Sequence, residues 1–126
     1  MKLDENSPIY MQIIDFIRGG LAAGTIVYGD ELPSRRVLSA ILGINPNTVQ
    51  KAYAMLEAGE LIRSHTGAKS CISASPQKIA EIKDALAEEG GRRAVQTLKA
   101  AGYSKAEAIA MIERYWDAED RRESEK

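Results

Sequence analysis

The chain has very little of the chemistry that enzymes and metal sites require. It contains one histidine and one cysteine among 126 residues, so Cys71 has no disulfide partner within the chain and no companions for a Cys-rich zinc site. The sequence shows neither a glycine-rich phosphate loop nor a pair of carboxylates in an apolar setting. We therefore expect no enzyme activity, no metal and no cofactor. A single thiol also suits a reducing cytoplasm, where we expect the protein to act.

Long apolar runs and an excess of one charge are missing as well. No apolar run approaches the roughly 18 residues of a membrane-spanning helix, and the first residues lack the charged and apolar regions of a secretory signal, so we expect no membrane partner. The formal net charge is −1, although residues 31–70 hold five Lys and Arg against three Asp and Glu. One subunit would release few counterions on DNA and bind weakly, so two copies would have to act together.

The segment from residue 32 to residue 51 shows the pattern of a helix-turn-helix. Ser34 is placed to cap a short helix that Gly43 ends. Asn45 followed by Pro46 is a strong start for a second helix. The apolar face predicted for the first helix comprises Val37, Leu38, Ile41 and Leu42.

Flanking elements complete a fold that is mostly α with a small β-hairpin. Ser7 and Pro8 predict the capped start of an amphipathic helix. Its apolar residues at helical spacing are Ile9, Ile13, Phe16, Ile17 and Leu21. Residues 25–28 are prone to form a β-strand, and the pieces 61–65 and 70–74 predict a hairpin. A hairpin after a helix-turn-helix is the wing of a winged helix.

Ser75 and Pro76 mark the predicted domain boundary, with a winged helix-turn-helix in residues 1–75 and a two-helix dimerisation segment in residues 76–126. Ser104 forms a capping box that opens the last helix. The apolar residues expected to be buried partly between subunits are Ile79, Leu86, Leu98, Ile109, Ile112 and Trp116. This surface exceeds what one pair of short helices would bury alone, which favours a homodimer. An aromatic cage for a ligand is the alternative for Trp116.

The second helix of the helix-turn-helix has one apolar and one polar side. At about 100° per residue, the residues that face the core are Val49, Ala52, Tyr53 and Leu56. The opposite side presents Asn47, Gln50, Lys51 and Ala54, with Thr48 on the flank. In the major groove, Asn and Gln pair with adenine, Lys with guanine, and a Thr methyl with thymine. We therefore predict DNA contacts by these polar residues; a solvated helix face is the alternative.

Basic residues at the start of the first helix are candidates for contacts with the DNA backbone. Ser34, Arg35 and Arg36 would combine free helix-terminal amides with two guanidinium groups, which suits a phosphate. The alternative is that they are exposed to solvent with no ligand.

The predicted hairpin holds the remaining candidates. Arg63, His65 and Lys69 would lie where a wing reaches a neighbouring groove or the backbone. For His65 we favour a surface residue over a pH switch. Cys71 alternates with polar neighbours in a β-prone piece, which predicts a buried structural thiol rather than a redox sensor.

These motifs together resemble the GntR family of bacterial regulators, and in particular its short YtrA-type branch. The resemblance lies in residues 8–13, 29–36, 43–53, 102–104 and 111–113. It implies a winged-helix DNA-binding domain with a small helical dimerisation segment, in a protein that is usually a repressor, often of operons for ABC-type transporters or envelope stress. By position, Arg36 matches the family's DNA-contacting arginine. The start of the family's recognition helix is matched by Asn45, Asn47, Thr48 and Gln50, and its wing by residues 63–69.

The chain departs from the family pattern at several positions. Tyr28 stands where proline is common, and Glu60 where glycine is preferred, with Gly59 in place to serve one residue earlier. In the wing, basic residues are usual at positions 65, 66 and 68, a glycine at position 69, and an aromatic at position 71. A wing with fewer charges is expected to contact DNA less strongly.

The sequence therefore predicts a sequence-specific DNA-binding transcriptional regulator. We expect a homodimeric repressor whose partner is double-stranded operator DNA of two-fold symmetry, with the two recognition helices about one DNA turn apart. The rival interpretation is a winged-helix protein-interaction module that has lost DNA binding, which the near-neutral charge and the depleted wing favour. The C-terminal segment is too small for the large ligand pocket of longer family members. The sequence does not identify a small-molecule effector. It is equally compatible with an effector bound at the dimer seam or between the tail and the winged helix, and with repression by operator occupancy alone.

Overall fold

The computed structural model describes residues 1–64 and 69–124, and within them it has five helices and three short strands. The helices are α1 (Ile9–Ala23), α2 (Arg35–Leu42), α3 (Pro46–Ala58), α4 (Pro76–Ala100) and α5 (Lys105–Ser124), and the strands are β1 (Glu31–Leu32), β2 (Ile62–Ser64) and β3 (Ser70–Ile72). This confirms a mostly helical fold with a small β element. The chain divides into two compact units, Met1–Leu86 and Ala87–Lys126, and α4 begins at the predicted boundary.

None of the helices in the described ranges is both long enough and apolar enough to pass through a membrane. No group of three or more His, Cys, Asp or Glu side chains there is placed to hold a metal ion.

Helix α1 begins one residue later than its sequence predicts. Pro8 has an extended backbone (ψ 141°), so it precedes the helix, and no side chain caps the helix start. The side chain of Gln12 holds the preceding residues instead. Its Nε2 donates to the carbonyl oxygens of Asp4 and Ser7, both at 2.8 Å, and its Oε1 accepts from the Asp4 N–H at 2.9 Å. The predicted cap by Ser7 is therefore wrong. The side-chain amide of Gln12, in the first turn, makes the hydrogen bonds to this segment instead.

The strand predicted at residues 25–28 is absent, and a shorter strand forms just after it. The Asp30 carboxylate accepts from the Val27 N–H at 2.9 Å, and the Asp30 N–H donates to the Val27 carbonyl at 3.1 Å, which closes a turn. From this turn onward the chain pairs with β3: Gly29 donates to the Ile72 carbonyl and Ile72 donates to the Asp30 carbonyl, each at 2.8 Å. The sheet is antiparallel with strand order β1-β3-β2, so the predicted hairpin gains a third strand.

The predicted burial of Cys71 is wrong, because the strand turns its other face to the core. Ser70 and Ile72 are buried, whereas Cys71 is half-buried on the opposite face, in register with Glu31 and Arg63. The alternation of side chains along a strand fixes this outcome once Ile72 faces inward. The inward Ser70 hydroxyl keeps a partner, since it lies 3.3 Å from the hydroxyl of Ser64.

The core of the first unit lies between α1, α3 and the sheet. As predicted, α3 contributes four buried residues, Val49, Ala52, Tyr53 and Leu56. Helix α1 contributes Ile13, Ile14, Ile17 and Leu21, the sheet region Leu61, Ile62, Ile72 and Ala74, and α4 Ile82. The predicted apolar faces are only partly covered. Phe16 (50% exposed), Val37 (46%) and Ile41 (69%) lie at the surface, while the buried residue of α2 is Ser39, whose hydroxyl donates to the Arg36 carbonyl at 2.8 Å.

The turn that follows α3 contains a left-handed residue, and that residue is Glu60 rather than Gly59. Glu60 has φ +63°, whereas Gly59 has φ −82°. The expectation that Gly59 serves one residue early is therefore wrong. A side chain in the left-handed region costs about 1–2 kcal/mol. A glycine there would relieve this strain, and part of that gain would be offset by a more flexible unfolded chain.

Replacing Glu60 with glycine is thus expected to raise the free energy of unfolding by about 1 kcal/mol, measured by urea denaturation. Gly59→Ala is the matched control. Its Cβ would lie 3.4 Å from the Met55 carbonyl oxygen, and its φ of −82° suits any residue, so we expect a change within about 0.5 kcal/mol. A loss of stability in the Glu60→Gly protein would contradict the assignment of strain to this residue.

In the second unit, the helix starts and ends follow local signals, while the side chains stay uncovered. The predicted capping box is confirmed: the Ser104 N–H donates to Glu107 Oε1 at 2.9 Å, and the Glu107 N–H donates to Ser104 Oγ at 3.2 Å. The hydrogen bonds from Ser104, chiefly that from its backbone, lower the pKa of Glu107. No side chain from residue 87 to residue 120 is buried. Several large apolar side chains of this unit are therefore exposed, among them Val95, Ile109, Ile112, Tyr115 and Trp116.

Candidate nucleic-acid interface

Helices α2 and α3 are joined by a three-residue turn whose geometry fixes where α3 begins. Gly43 adopts φ +66°, and Ile44, which is half-buried against the core, donates its N–H to the Ser39 carbonyl at 3.0 Å. Asn45 caps α3 through its Oδ1, which accepts from the Asn47 N–H at 2.8 Å, and Pro46 occupies the first helical position. The predicted start of the second helix is confirmed. Because Asn45 Oδ1 is used in the cap, the side-chain NH₂ of Asn45 is the group left for a ligand.

The outer face of α3 is polar and open. Asn47, Gln50 and Ala54 are exposed, and Thr48 is half-buried on the flank. Lys51 is also exposed, but its Nζ lies 3.9 Å from the centroid of the Tyr10 ring in α1. The polar side chains of α3 therefore share one exposed face, and the Lys51 ammonium group lies at one side of it.

The two arginines at the start of α2 lie in different environments. Ser34 caps this helix, since its Oγ accepts from the Val37 N–H at 3.2 Å. Arg36 is exposed and has no ion pair within the described residues. Arg35 is half-buried: its guanidinium carbon lies 5.3 Å from the centroid of the Tyr53 ring, and its Nε is enclosed without a hydrogen-bond partner. Arg36 is thus the better placed of the two for a phosphate.

Tyr53 connects α3 to the segment before α2. Its hydroxyl donates to the Pro33 carbonyl at 2.7 Å, and its side chain is among the largest fully buried ones. Burial raises the pKa of Tyr53 to about 12, and the nearby Arg35 guanidinium opposes that rise. Tyr53 therefore links α3 to the segment that leads into Arg35 and Arg36.

Only part of the wing falls within the described residues. Arg63 lies on β2 and Lys69 just before β3, and both are exposed, whereas the predicted contact His65 lies outside the described ranges. Lys69 Nζ is 3.5 Å from Glu31 Oε2, an exposed ion pair that contributes little to stability. The pair nevertheless offsets one of the wing's positive charges.

The residues predicted for dimerisation fall into two groups. Ile79 and Leu86 are half-buried against the core of their own chain. Leu98 is half-buried within the second unit, whereas Ile109 (46%), Ile112 (46%) and Trp116 (70%) are exposed on α5. The exposed residues Ile109, Ile112 and Trp116 are the ones that a partner subunit would have to cover.

Tyr10 and Tyr53 support this surface through contacts that the sequence pattern does not indicate. The helical period places Tyr53 in the core, but it does not indicate that the hydroxyl bonds to a carbonyl oxygen twenty residues earlier. Tyr10 belongs to the motif at residues 8–13, but its contact joins α1 to α3, which periodicity within one helix does not reveal.

A helix-turn-helix followed by an antiparallel hairpin, with a polar outer face on its second helix, defines a winged helix-turn-helix DNA-binding protein. The family model described as "Bacterial regulatory proteins, gntR family" matches residues 9–70 of this chain. The chain is 30% identical over 114 residues to the HTH-type transcriptional regulator YhcF of Bacillus subtilis, an alignment that covers 90% of this chain and 94% of YhcF. It is 43% identical over 68 residues to the HTH-type transcriptional repressor YtrA of Bacillus subtilis, which covers 54% of this chain and 52% of YtrA.

A solved structure agrees with these relatives. A GntR family transcriptional regulator from Listeria monocytogenes superposes with a TM-score of 0.79 at 30% identity, covering 89% of this chain and 98% of that one. The chain belongs to the GntR family. It is a transcriptional regulator with a DNA-binding helix-turn-helix, and its relatives are regulators rather than enzymes.

Proposed function

We propose that this regulator is a cytoplasmic homodimeric repressor that binds a two-fold symmetric operator. The outer face of α3 supports this proposal most directly, because it presents Asn47 and Gln50 to solvent from a helix whose start is fixed by a cap. Amide side chains at such positions pair with adenine in the major groove. The regulated genes, by the resemblance to the YtrA-type branch, would belong to a transporter or stress operon, and the relative named as a repressor supports negative control.

Affinity in this proposal comes from a few positive charges and from pairing of subunits. Arg36 is exposed at the start of α2, and Arg63 is exposed on β2, whereas Lys69 is paired with Glu31. So few phosphate contacts give weak binding by one subunit. Two subunits that associate through α5 would present two recognition helices to successive major grooves. Binding of the first helix then holds the second close to its half-site, which raises the affinity of the dimer.

The proposal is tested by selecting a duplex from a random DNA library with the full-length protein and titrating it by fluorescence anisotropy at several salt concentrations. We expect a symmetric selected sequence and an affinity that falls as salt rises. Failure to enrich any duplex, together with no salt-dependent binding, would favour the protein-interaction module instead.

Variants of the interface should separate base contacts from phosphate contacts. Asn47→Ala and Gln50→Ala are each expected to relax discrimination at one or two operator positions by about 1–3 kcal/mol. Arg36→Ala should weaken binding about tenfold to all sequences and lower the salt slope by about one. Lys83→Ala, which removes an equal charge from an exposed position of α4, is the matched control and should change neither quantity appreciably. Unchanged affinity and preference in all three interface variants would show that the reading face is misplaced.

A further inference from the structure

The ammonium group of Lys51 is held by an aromatic ring rather than by a carboxylate. Its Nζ lies 3.9 Å from the centroid of the Tyr10 ring, and within the described residues Lys51 has no ion pair. A lysine on an exposed helix face otherwise samples many rotamers, and a cation placed over a ring is attracted by the negative face of its π-system. Tyr10 is half-buried in the first turn of α1, so the ring itself has a fixed position.

The backbone position of Lys51 lies on the outer face of α3, between Asn47 and Thr48. At about 100° per residue, it is roughly 40° from Asn47 on the side of Thr48, and roughly 100° from Gln50. Its ammonium nevertheless lies at the border of that face next to α1, because it reaches the ring of Tyr10 in α1. A helix in the major groove turns its central positions to the base edges and its borders to the two sugar-phosphate strands.

We propose that Tyr10 is a positioning residue that holds Lys51 as a contact to a DNA phosphate and keeps it away from the base edges. This inference rests on the proposed function and changes one part of it. Lys51 contributes affinity for any sequence, and the selectivity of α3 comes from Asn47, Gln50 and Thr48. The GntR regulator thereby uses α1 as well as its helix-turn-helix to arrange the interface.

The test uses the full-length protein and the duplex that it selects from a random library, together with single-base-pair variants of that duplex. Lys51→Ala should weaken binding to the selected duplex and to every variant by the same factor, and should lower the salt slope by about one. Tyr10→Leu should weaken binding about two- to fivefold. In the Lys51→Ala background, Tyr10→Leu should have no further effect, because the ring then has no cation to hold.

Two further variants separate positioning from a merely structural role. Tyr10→Phe keeps the ring face and is expected to bind as the unchanged protein does. Tyr28→Leu removes an aromatic side chain that is 68% exposed and should leave affinity unchanged in both backgrounds. A structural role for Tyr10 would lower affinity by equal factors with and without Lys51, and would lower the melting temperature in parallel.

The possible results decide the matter. If the loss in Lys51→Ala is concentrated at one base pair, Lys51 reads a base and the inference is wrong. If Tyr10→Leu costs as much without Lys51 as with it, Tyr10 does not act through Lys51. If the unchanged protein selects no duplex, both the proposed function and this inference fail, whereas selection of a duplex with additive effects of the two variants overturns the inference alone.

Discussion

Replacing Ile112 with aspartate is expected to convert the protein to a monomer and to weaken operator binding by about 100-fold or more. Ile112 lies on α5 with Ile109 and Trp116, all exposed, in a unit where no side chain up to residue 120 is buried. A carboxylate in the centre of an apolar contact has to be desolvated without a partner, which disfavours association strongly. Light scattering would report the oligomeric state, and anisotropy titration the affinity.

Ala110→Asp supplies the matched control for this variant. Ala110 is exposed on the same helix, roughly 160° away from Ile112 at about 100° per residue, so the same charge is added to the other side of α5. We expect this protein to stay dimeric and to bind the operator normally. A dimeric Ile112→Asp protein would rule out this face of α5 as the subunit contact.

Replacing Tyr53 with alanine is expected to lower the free energy of unfolding by about 3–5 kcal/mol. Tyr53 is 2% exposed at the centre of the first unit, its hydroxyl donates to the Pro33 carbonyl, and Arg35 lies over its ring. Since domains of this size are stable by only about 5–15 kcal/mol, most of the stability would be lost. Tyr53→Phe keeps the ring and removes one hydrogen bond, so we expect a loss of about 1 kcal/mol. Urea denaturation of both variants would distinguish packing from hydrogen bonding.

The hydroxyl of Tyr53 also predicts how stability changes at high pH. The folded protein raises its pKa from 10.0 to about 12, mainly by burial, so folding favours the protonated phenol. This contribution is fully present below pH 10 and is lost as the pH rises to about 12. The Tyr53→Phe protein should therefore lose less stability across this range than the unchanged protein. Equal losses in the two proteins would contradict the buried, hydrogen-bonded state of the phenol.

Elements defined by neighbouring residues could be predicted from the sequence. The start of α3 at Asn45 and Pro46 and the capping box of Ser104 and Glu107 depend on side chains within a few residues of the helix start, and both are confirmed. The inward face of α3 follows from its 3.6-residue period. The exposed positions of Asn47 and Gln50 follow from the same period, so the polar outer face of α3 was predictable from the sequence.

Features that depend on distant partners were missed. β1 has two residues, too few to show a period, and it forms because residues about 40 positions later supply its hydrogen bonds. Periodicity also indicated that Phe16 and Ile41 lie on apolar faces, but not that both are largely exposed. At the site, the contact of Arg35 with the Tyr53 ring joins residues that are distant in sequence, so no local pattern indicates it. Glu60 shows the same limit, since the neighbouring glycine suggested a different helix end.

If the second unit dimerises as proposed, its exposed apolar side chains make protein abundance part of regulation. Residues 87–120 bury no side chain within their own chain, so under the proposed dimerisation their apolar surface is removed from water only when two chains meet. Association then follows mass action, and the fraction of chains able to occupy both half-sites rises with the number of molecules in the cell. Under this proposal the regulator would respond to its own rate of synthesis and dilution, even without a small molecule to control it.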